Sequence, residues 1–163
     1  MLEIKRTQIE KFLRQKKVSY RTDETNLQTK YLRNKIRLKL LPLLRKDYNP
    51  KIKETLNSFA QIISTDYDFL YTYCHNIYQK EARYAKGSIS FSLKNFNQYH
   101  LAIQRLLLRI AIDQLKGDTR SLTLKHLQNF DDALKTNPKT VEVHLPANII
   151  LKIRNNVVIV GKN

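Results

Sequence analysis

The 163-residue chain carries 30 Lys and Arg against 14 Asp and Glu. Its formal net charge of +16 implies an acidic partner, nucleic acid first and an anionic membrane surface second, with an inert cationic surface as the bland alternative. A hydrophobic content of 42% with only 3 Gly and 4 Pro supports a real core and argues against a disordered tail, and a single cysteine excludes an internal disulfide or a Cys-rich zinc site.

In chain order, Ile4 to Gln15 places apolar residues at Ile4, Ile9, Phe12 and Leu13 between charges and reads as a short amphipathic helix. Lys16 to Asp23 is a polar connection around Val18 and Tyr20. Thr25 and Gln28 have capping-box spacing, which starts a helix at Asn26, and Pro42 ends it near Leu41. Projected at about 100° per residue, Leu27, Tyr31, Leu38 and Leu41 form one apolar stripe, with Leu32, Ile36 and Leu40 opposite. A helix apolar on two sides is expected between two layers. Lys30, Arg33 and Arg37 share one basic edge and Lys35 with Lys39 the other, and both edges are expected to line clefts. Basic residues at 33, 35, 37 and 39 also alternate as in a strand; the cap, the Pro stop and the length favour helix. From Lys30 to Lys53 nine Lys or Arg face one acid, Asp47, so this window alone carries +8 (9 − 1). Charge that only solubilises is usually mixed in sign, so a one-sided block set among leucines points to a polyanion.

Asn49-Pro50 reads as an N-cap with Pro at the first helical position. Leu56, Phe59, Ala60, Ile63, Tyr67, Leu70, Cys74 and Ile77 then recur on one face up to about Lys80. Cys74 on that stripe is a buried structural thiol. Tyr67, Tyr71, Tyr73 and Tyr78 cluster here, as base-stacking rings or, more plainly, as rings covering a core. Gly87 breaks the pattern and Ser88 to Leu93 alternates as a short strand. Gln98 to Leu115 is apolar nearly all round except for Arg105 and Arg109, one turn apart, and is expected at the centre of a small bundle. Leu122 to Leu134 is a further helix. Val141 to Leu145, Ile149 to Ile153 and Val157 to Val160 are strand-like, with Asn155-Asn156 as a hairpin turn. The fold class expected is mainly α, a helical bundle with a few short strands.

No complete active site appears in these residues. Four scattered histidines lack metal-ligand spacing, three glycines build no phosphate loop, and no nucleophile motif is present. Asp131 and Asp132 near a helix end read as solvated surface. No metal site is expected, no apolar run reaches transmembrane length, and no signal peptide opens the chain, so a cytoplasmic protein without membrane contact is expected.

Three stretches nevertheless resemble the bacterial tRNA(Ile)-lysidine synthetases. Met1-Leu2-Glu3-Ile4-Lys5-Arg6 with Ile9-Glu10 is similar to the family's R-P-L-L-x-x-x-R-x-E-I segment. Asp23-Glu24-Thr25-Asn26 with Tyr31-Leu32-Arg33-Asn34-Lys35-Ile36-Arg37 and Leu41-Pro42 is similar to D-x-[ST]-N…Y-x-R-N-x-I-R…L-P, and is the specific signal. Gln104 to Arg109 with Leu145-Pro146 resembles the helical domain after the catalytic one, in a mostly apolar and weaker match. The family's S-G-G-x-D-S loop for ATP is absent from these residues. The chain is therefore expected to combine the terminal helices of an otherwise missing α/β domain with the helical domain that follows. Met1 inside an expected motif favours a truncated frame or misplaced start, and one half of a split enzyme is an alternative.

The resemblance implies an enzyme that adenylates the wobble cytidine of tRNA-Ile with ATP and Mg and then attaches free lysine. Residues 1–44 would be the C-terminal end of the catalytic nucleotide-binding domain, and 45–163 a helical tRNA-binding domain with a C-terminal β-hairpin. It places Arg33 and Arg37 on the active-site side, holding tRNA phosphate or ATP oxygens. Asp23, Asn26 and Asn34 are substrate-positioning or helix-capping residues. Lys30, Lys35, Lys39, Arg105 and Arg109 are tRNA-binding candidates, the two helix arginines being equally suited to pairing with carboxylates. This chain alone is expected to bind no cofactor and to be inactive, with the catalytic domain as a candidate partner chain and a homo-oligomer left open. The alternative is a stand-alone basic helical RNA- or DNA-binding module without enzymatic activity.

Overall fold

Residues 4, 6–19, 25, 28–135 and 140–162 are described in a computed structural model. The chain divides into two compact units, Met1–Gln61 and Ile62–Asn163.

In the first unit, α1 (Arg6–Gln15) is followed by a connection and then by three helical pieces joined end to end: α2 (Leu32–Lys35), a π-helical turn (Ile36–Leu40) and α3 (Leu41–Asp47). The helix expected from Asn26 begins instead at Leu32. Gln28 to Tyr31 runs as coil and turn because the main-chain carbonyls of Thr25 and Gln28 accept bonds from Asn34 Nδ2, each at 2.9 Å, and do not continue a helix. Asn26 and Leu27 lie outside the described residues. Pro42 does not stop the helix. Proline lacks an N–H and its ring crowds the carbonyl four residues back. Here the preceding turn is widened, with the Leu41 N–H donating to Ile36 five residues back, so the helix passes through with Pro42 in the first turn of α3.

The expected burial of this segment is also overturned. Tyr31 is 51% exposed, Leu32 73%, Leu38 36% and Leu40 45%. Apart from half-buried Leu41, the described members of both apolar stripes are exposed, so the sandwiched helix is not seen among the described residues. Leu38→Ala is accordingly expected to lower the stability of this chain by only about 1 kcal/mol, against roughly 2–5 kcal/mol for a buried leucine. Thermal melting of the variant checks this.

α4 (Ile52–Glu81) starts as its sequence demands: Asn49 Oδ1 accepts from the Lys51 N–H at 2.8 Å. Its later turns enter the second unit, whose remaining elements are β1 (Arg83–Ala85), β2 (Ser88–Ser92), α5 (Leu93–Gln98), α6 (Leu101–Lys116), α7 (Leu124–Lys135), β3 (Thr140–Leu145), β4 (Ile149–Arg154) and β5 (Val157–Lys162). The strands form one antiparallel sheet in the order β1-β2-β5-β4-β3. The architecture is therefore mixed α+β and not a helical bundle. Each strand read by itself is short, but β2 pairs with β5 from the far end of the chain, and that joins an early hairpin to the C-terminal meander. Register explains the core. Ile89 lies beside Val160, which lies beside Leu151 and then Val143; Phe91, Val158, Ile153 and Val141 form the parallel row. These rows alternate with Ser90, Ile159, Lys152 and Glu142 on the other face, where Lys152 and Glu142 pair at 3.0 Å. Asn155 and Asn156 take φ of 51° and 60°, as a two-residue hairpin turn requires.

α6 packs against β5 and α7 against β3. α6 buries Leu106, Leu107, Leu108, Ile110, Ala111 and Ile112, so its apolar surface meets a sheet where a bundle centre was expected. Phe96, Phe130, Tyr78 and Cys74 complete this core. Burial pushes the Cys74 thiol above its ordinary range, as suits an inert structural cysteine.

Candidate nucleic-acid interface

The basic segment of the first unit hangs on one buried polar side chain. Asn34 is 2% exposed and donates both amide hydrogens, which fastens the Thr25–Gln28 stretch to α2. A buried amide is tolerated only when bonded in this way. With that clamp closed, Arg33 lines an open recess with Thr25, Tyr31 and Leu32. Lys35 and Lys39, one turn apart, edge a groove of about 360 Å³ floored by Leu32, Ile36, Leu40 and Leu43. Lys30 is exposed in the turn before α2 and Arg37 is exposed on the π-helical turn. Asp23 and Asn26 lie outside the described residues. A third recess, about 330 Å³, gathers Arg45, Lys46 and Lys53 around Leu41, Pro42 and Pro50. The sequence contained that cluster within the cationic window, but only the passage of the helix through Pro42 brings its members together.

In the second unit the two arginines of α6 part company. Arg105 Nε and Nη2 both donate to Asp131 Oδ2, at 2.9 and 2.6 Å, and Asp131 is only 5% exposed. Asp131 is thus buried, not solvated surface as its neighbour Asp132 is; α7 turns it toward α6, where a guanidinium compensates its charge. Arg109, one turn on, is exposed and has no hydrogen bond or ion pair among the described residues. It lines a cleft of about 180 Å³ with Tyr67, Tyr71, Asp113 and Thr119, over Leu106 and Ile110.

Tyr67 and Tyr71 begin a ladder of rings along α4. Ring centroids lie 6.1 Å apart for Tyr67–Tyr71, 6.0 Å for Tyr71–His75 and 6.4 Å for His75–Tyr78. The lower rungs are core. Tyr78 is 2% exposed, and burial together with its Tyr84 hydrogen bond raises its phenol well above the ordinary range. The upper rungs are exposed, Tyr67 at 44% and Tyr71 at 39%. The core reading of the tyrosine cluster therefore holds for Tyr78, while Tyr67 and Tyr71 stand open to solvent on an earlier turn of the same helix. Beyond α6 the loop is fixed: Asp118 Oδ1 accepts from the Arg120 N–H at 3.0 Å and from Lys116 Nζ at 3.1 Å, which holds its carboxyl below the usual range.

Among the described residues no group of three His, Cys, Asp or Glu is placed to hold a metal, and no helix is long and apolar enough to cross a membrane. No phosphate-cradling glycine loop occurs in the sequence.

Comparison with known proteins adds two family matches. Residues 1–44 match a PP-loop domain, and residues 91–155 match a TilS substrate binding domain. Relatives include the tRNA(Ile)-lysidine synthase of Caldanaerobacter subterraneus subsp. tengcongensis, 32% identical over 98% of this chain and 34% of its own length. The proteins of the same name from Clostridium acetobutylicum and Clostridioides difficile are each 29% identical, over 99% and 93% of this chain and 37% and 33% of theirs. The chain thus spans about a third of the length of these relatives.

Proposed function

Because this chain belongs to the tRNA(Ile)-lysidine synthase family, we propose that it supplies tRNA binding and one wall of the active site to an enzyme joining lysine to the wobble cytidine of an isoleucine tRNA. On this reading residues 1–44 end the catalytic domain, and 45–163 form the tRNA-binding domain, now with a five-stranded sheet. ATP, Mg and lysine are handled by the complete enzyme. The observation that carries the reading is the one-sided charge of Lys30 to Lys53, set on exposed helix edges beside open grooves. Arg33 and Arg37 stand on the same helical run, on the segment matched by the PP-loop domain, and are the candidates for the active-site wall. Planar guanidinium groups suit phosphate oxygens there.

Filter binding tests the reading. The 163-residue chain should bind tRNA, and contact with about four phosphates would weaken binding roughly 100-fold between about 50 and 200 mM salt, since each contact releases counterions. It should release no AMP on addition of lysine. Salt-independent binding, or ATP turnover by the pure chain, would overturn it. A stand-alone RNA- or DNA-binding module would instead take duplex DNA as well as tRNA.

A further inference from the structure

We propose that the cleft between α4 and α6 in the second unit is a pocket for one unpaired nucleotide of RNA, with Tyr67 and Tyr71 stacking its base and Arg109 its cationic contact. The proposal rests on the reading that this chain binds RNA, and it adds a site that lies partly outside the matched 91–155 region.

The chemistry of the walls narrows the occupant. Asp113 opposes an isolated phosphate, and Arg109 opposes a metal ion or an organic cation. The tyrosine hydroxyls, Thr119 and the two charged groups are too polar for a purely apolar guest. A flat ring bearing both donors and acceptors, joined to a phosphate, satisfies all of them, and that is a nucleotide. At about 180 Å³ the cleft is below the range of pockets that enclose whole drug-sized ligands, as befits one unit of a polymer.

Two further observations point the same way. Along the ring ladder the interplanar angle is 16° for Tyr71–His75 and 20° for His75–Tyr78, but opens to 34° for Tyr67–Tyr71, the pair that lines the cleft. His75 and Tyr78 back Tyr71 from below, so the platform is braced where it meets the cleft. On α6, Arg105 is paired with Asp131, whereas Arg109 and Asp113 line the same cleft one turn apart without closing an ion pair. Among the described residues neither side chain has another partner. A carboxylate offered to the base edge accepts from an exocyclic amino group, so cytosine, adenine or guanine should be preferred to uracil.

The experiment uses fluorescence polarisation of short labelled oligocytidylate and oligouridylate, with tRNA in parallel. With no Trp in the chain, quenching of tyrosine emission gives an independent signal of stacking. Tyr71→Ala should weaken oligocytidylate binding roughly 5- to 100-fold, as loss of one stacked base implies, while Tyr71→Phe stays close to the parent. Tyr67→Ala is the second variant, decisive if Tyr71→Ala melts early. Arg109→Ala should reduce the logarithmic salt slope by about 0.7, one single-strand phosphate contact. Asp113→Asn should narrow the preference for oligocytidylate over oligouridylate. If Tyr67→Ala and Arg109→Ala bind oligocytidylate as the parent does while tRNA binding keeps its salt dependence, the pocket is wrong and the RNA reading stands. If the parent binds tRNA but not oligocytidylate, the pocket is wrong; if it binds none of the three RNAs, the RNA reading itself has failed.

Discussion

Replacing Arg37 by Ala in a complete lysidine-forming enzyme should lower the rate of lysidine formation by roughly 100-fold or more while moving the melting temperature by no more than a few degrees. The size follows from removing one preorganised cation from developing or transferred negative charge, an effect of about 2.7–4 kcal/mol at comparable sites. The small thermal effect follows from position. Arg37 is exposed on the π-helical turn, and surface substitutions usually change stability by about 0.5 kcal/mol or less. Arg37→Lys divides two modes of contact. Partial rescue means a point charge on a phosphate, and no rescue means a bidentate fork. Single-turnover formation of lysidine with saturating lysine and ATP is the measurement. Unfolding of Arg37→Ala, or retention of full activity, would remove Arg37 from the active-site wall.

Leu38, the neighbouring residue, shows why that experiment needs the complete enzyme. Its 36% exposure in this chain makes it a weak contributor to the fold of the first unit. A larger destabilisation by Leu38→Ala in the complete enzyme than in this chain would mean that the helix face gains cover there, as its two apolar stripes suggest.

The elements readable from sequence were those fixed by local chemistry. Asn49 before Pro50 caps α4 because a side-chain oxygen two residues ahead of Lys51 reaches its N–H, and Asn155-Asn156 turns the last hairpin because asparagine tolerates positive φ. What depended on distant partners was not readable. β2 has ordinary alternation, and nothing local says that its partner is β5. Pro42 read as a stop because proline normally is one; the widened turn that accommodates it leaves no compositional mark. Asn34 reads in sequence as a substrate-positioning or helix-capping residue, but nothing local names its two carbonyl partners, Thr25 and Gln28, nine and six residues earlier. In the candidate site, the basic window and the tyrosine cluster were visible as composition, but their division into recesses required the helix geometry. Asp113 stands one turn after Arg109 on a helix legible in the sequence, but Thr119 carried no signal until folding set it beside them.

Arg105 and Arg109 were indistinguishable in sequence, two cations one turn apart on one apolar helix, and separating them is the last expected result. Arg105→Ala should destabilise the second unit by about 3 kcal/mol, because it strands a nearly buried carboxylate without its charge-assisted bonds. For a unit of this size that is a fall in melting temperature on the order of 10 °C. Asp131→Ala should cost less than Arg105→Ala, since the guanidinium it releases is 28% exposed and can turn toward water, whereas Asp131 at 5% exposure cannot. Replacing both residues by apolar ones of similar volume should recover most of the loss, because buried pairs often stabilise no more than good packing does. RNA binding should sort the arginines in the opposite order. Arg105→Ala, assayed well below its melting temperature, should keep the parent's salt slope for tRNA, while Arg109→Ala lowers the slope and leaves the melt unchanged. Thermal denaturation and salt-titrated tRNA binding of the two variants decide it. An Arg105→Ala variant that melts like the parent yet loses tRNA would assign Arg105 to the interface and reduce its pairing with Asp131 to a resting contact.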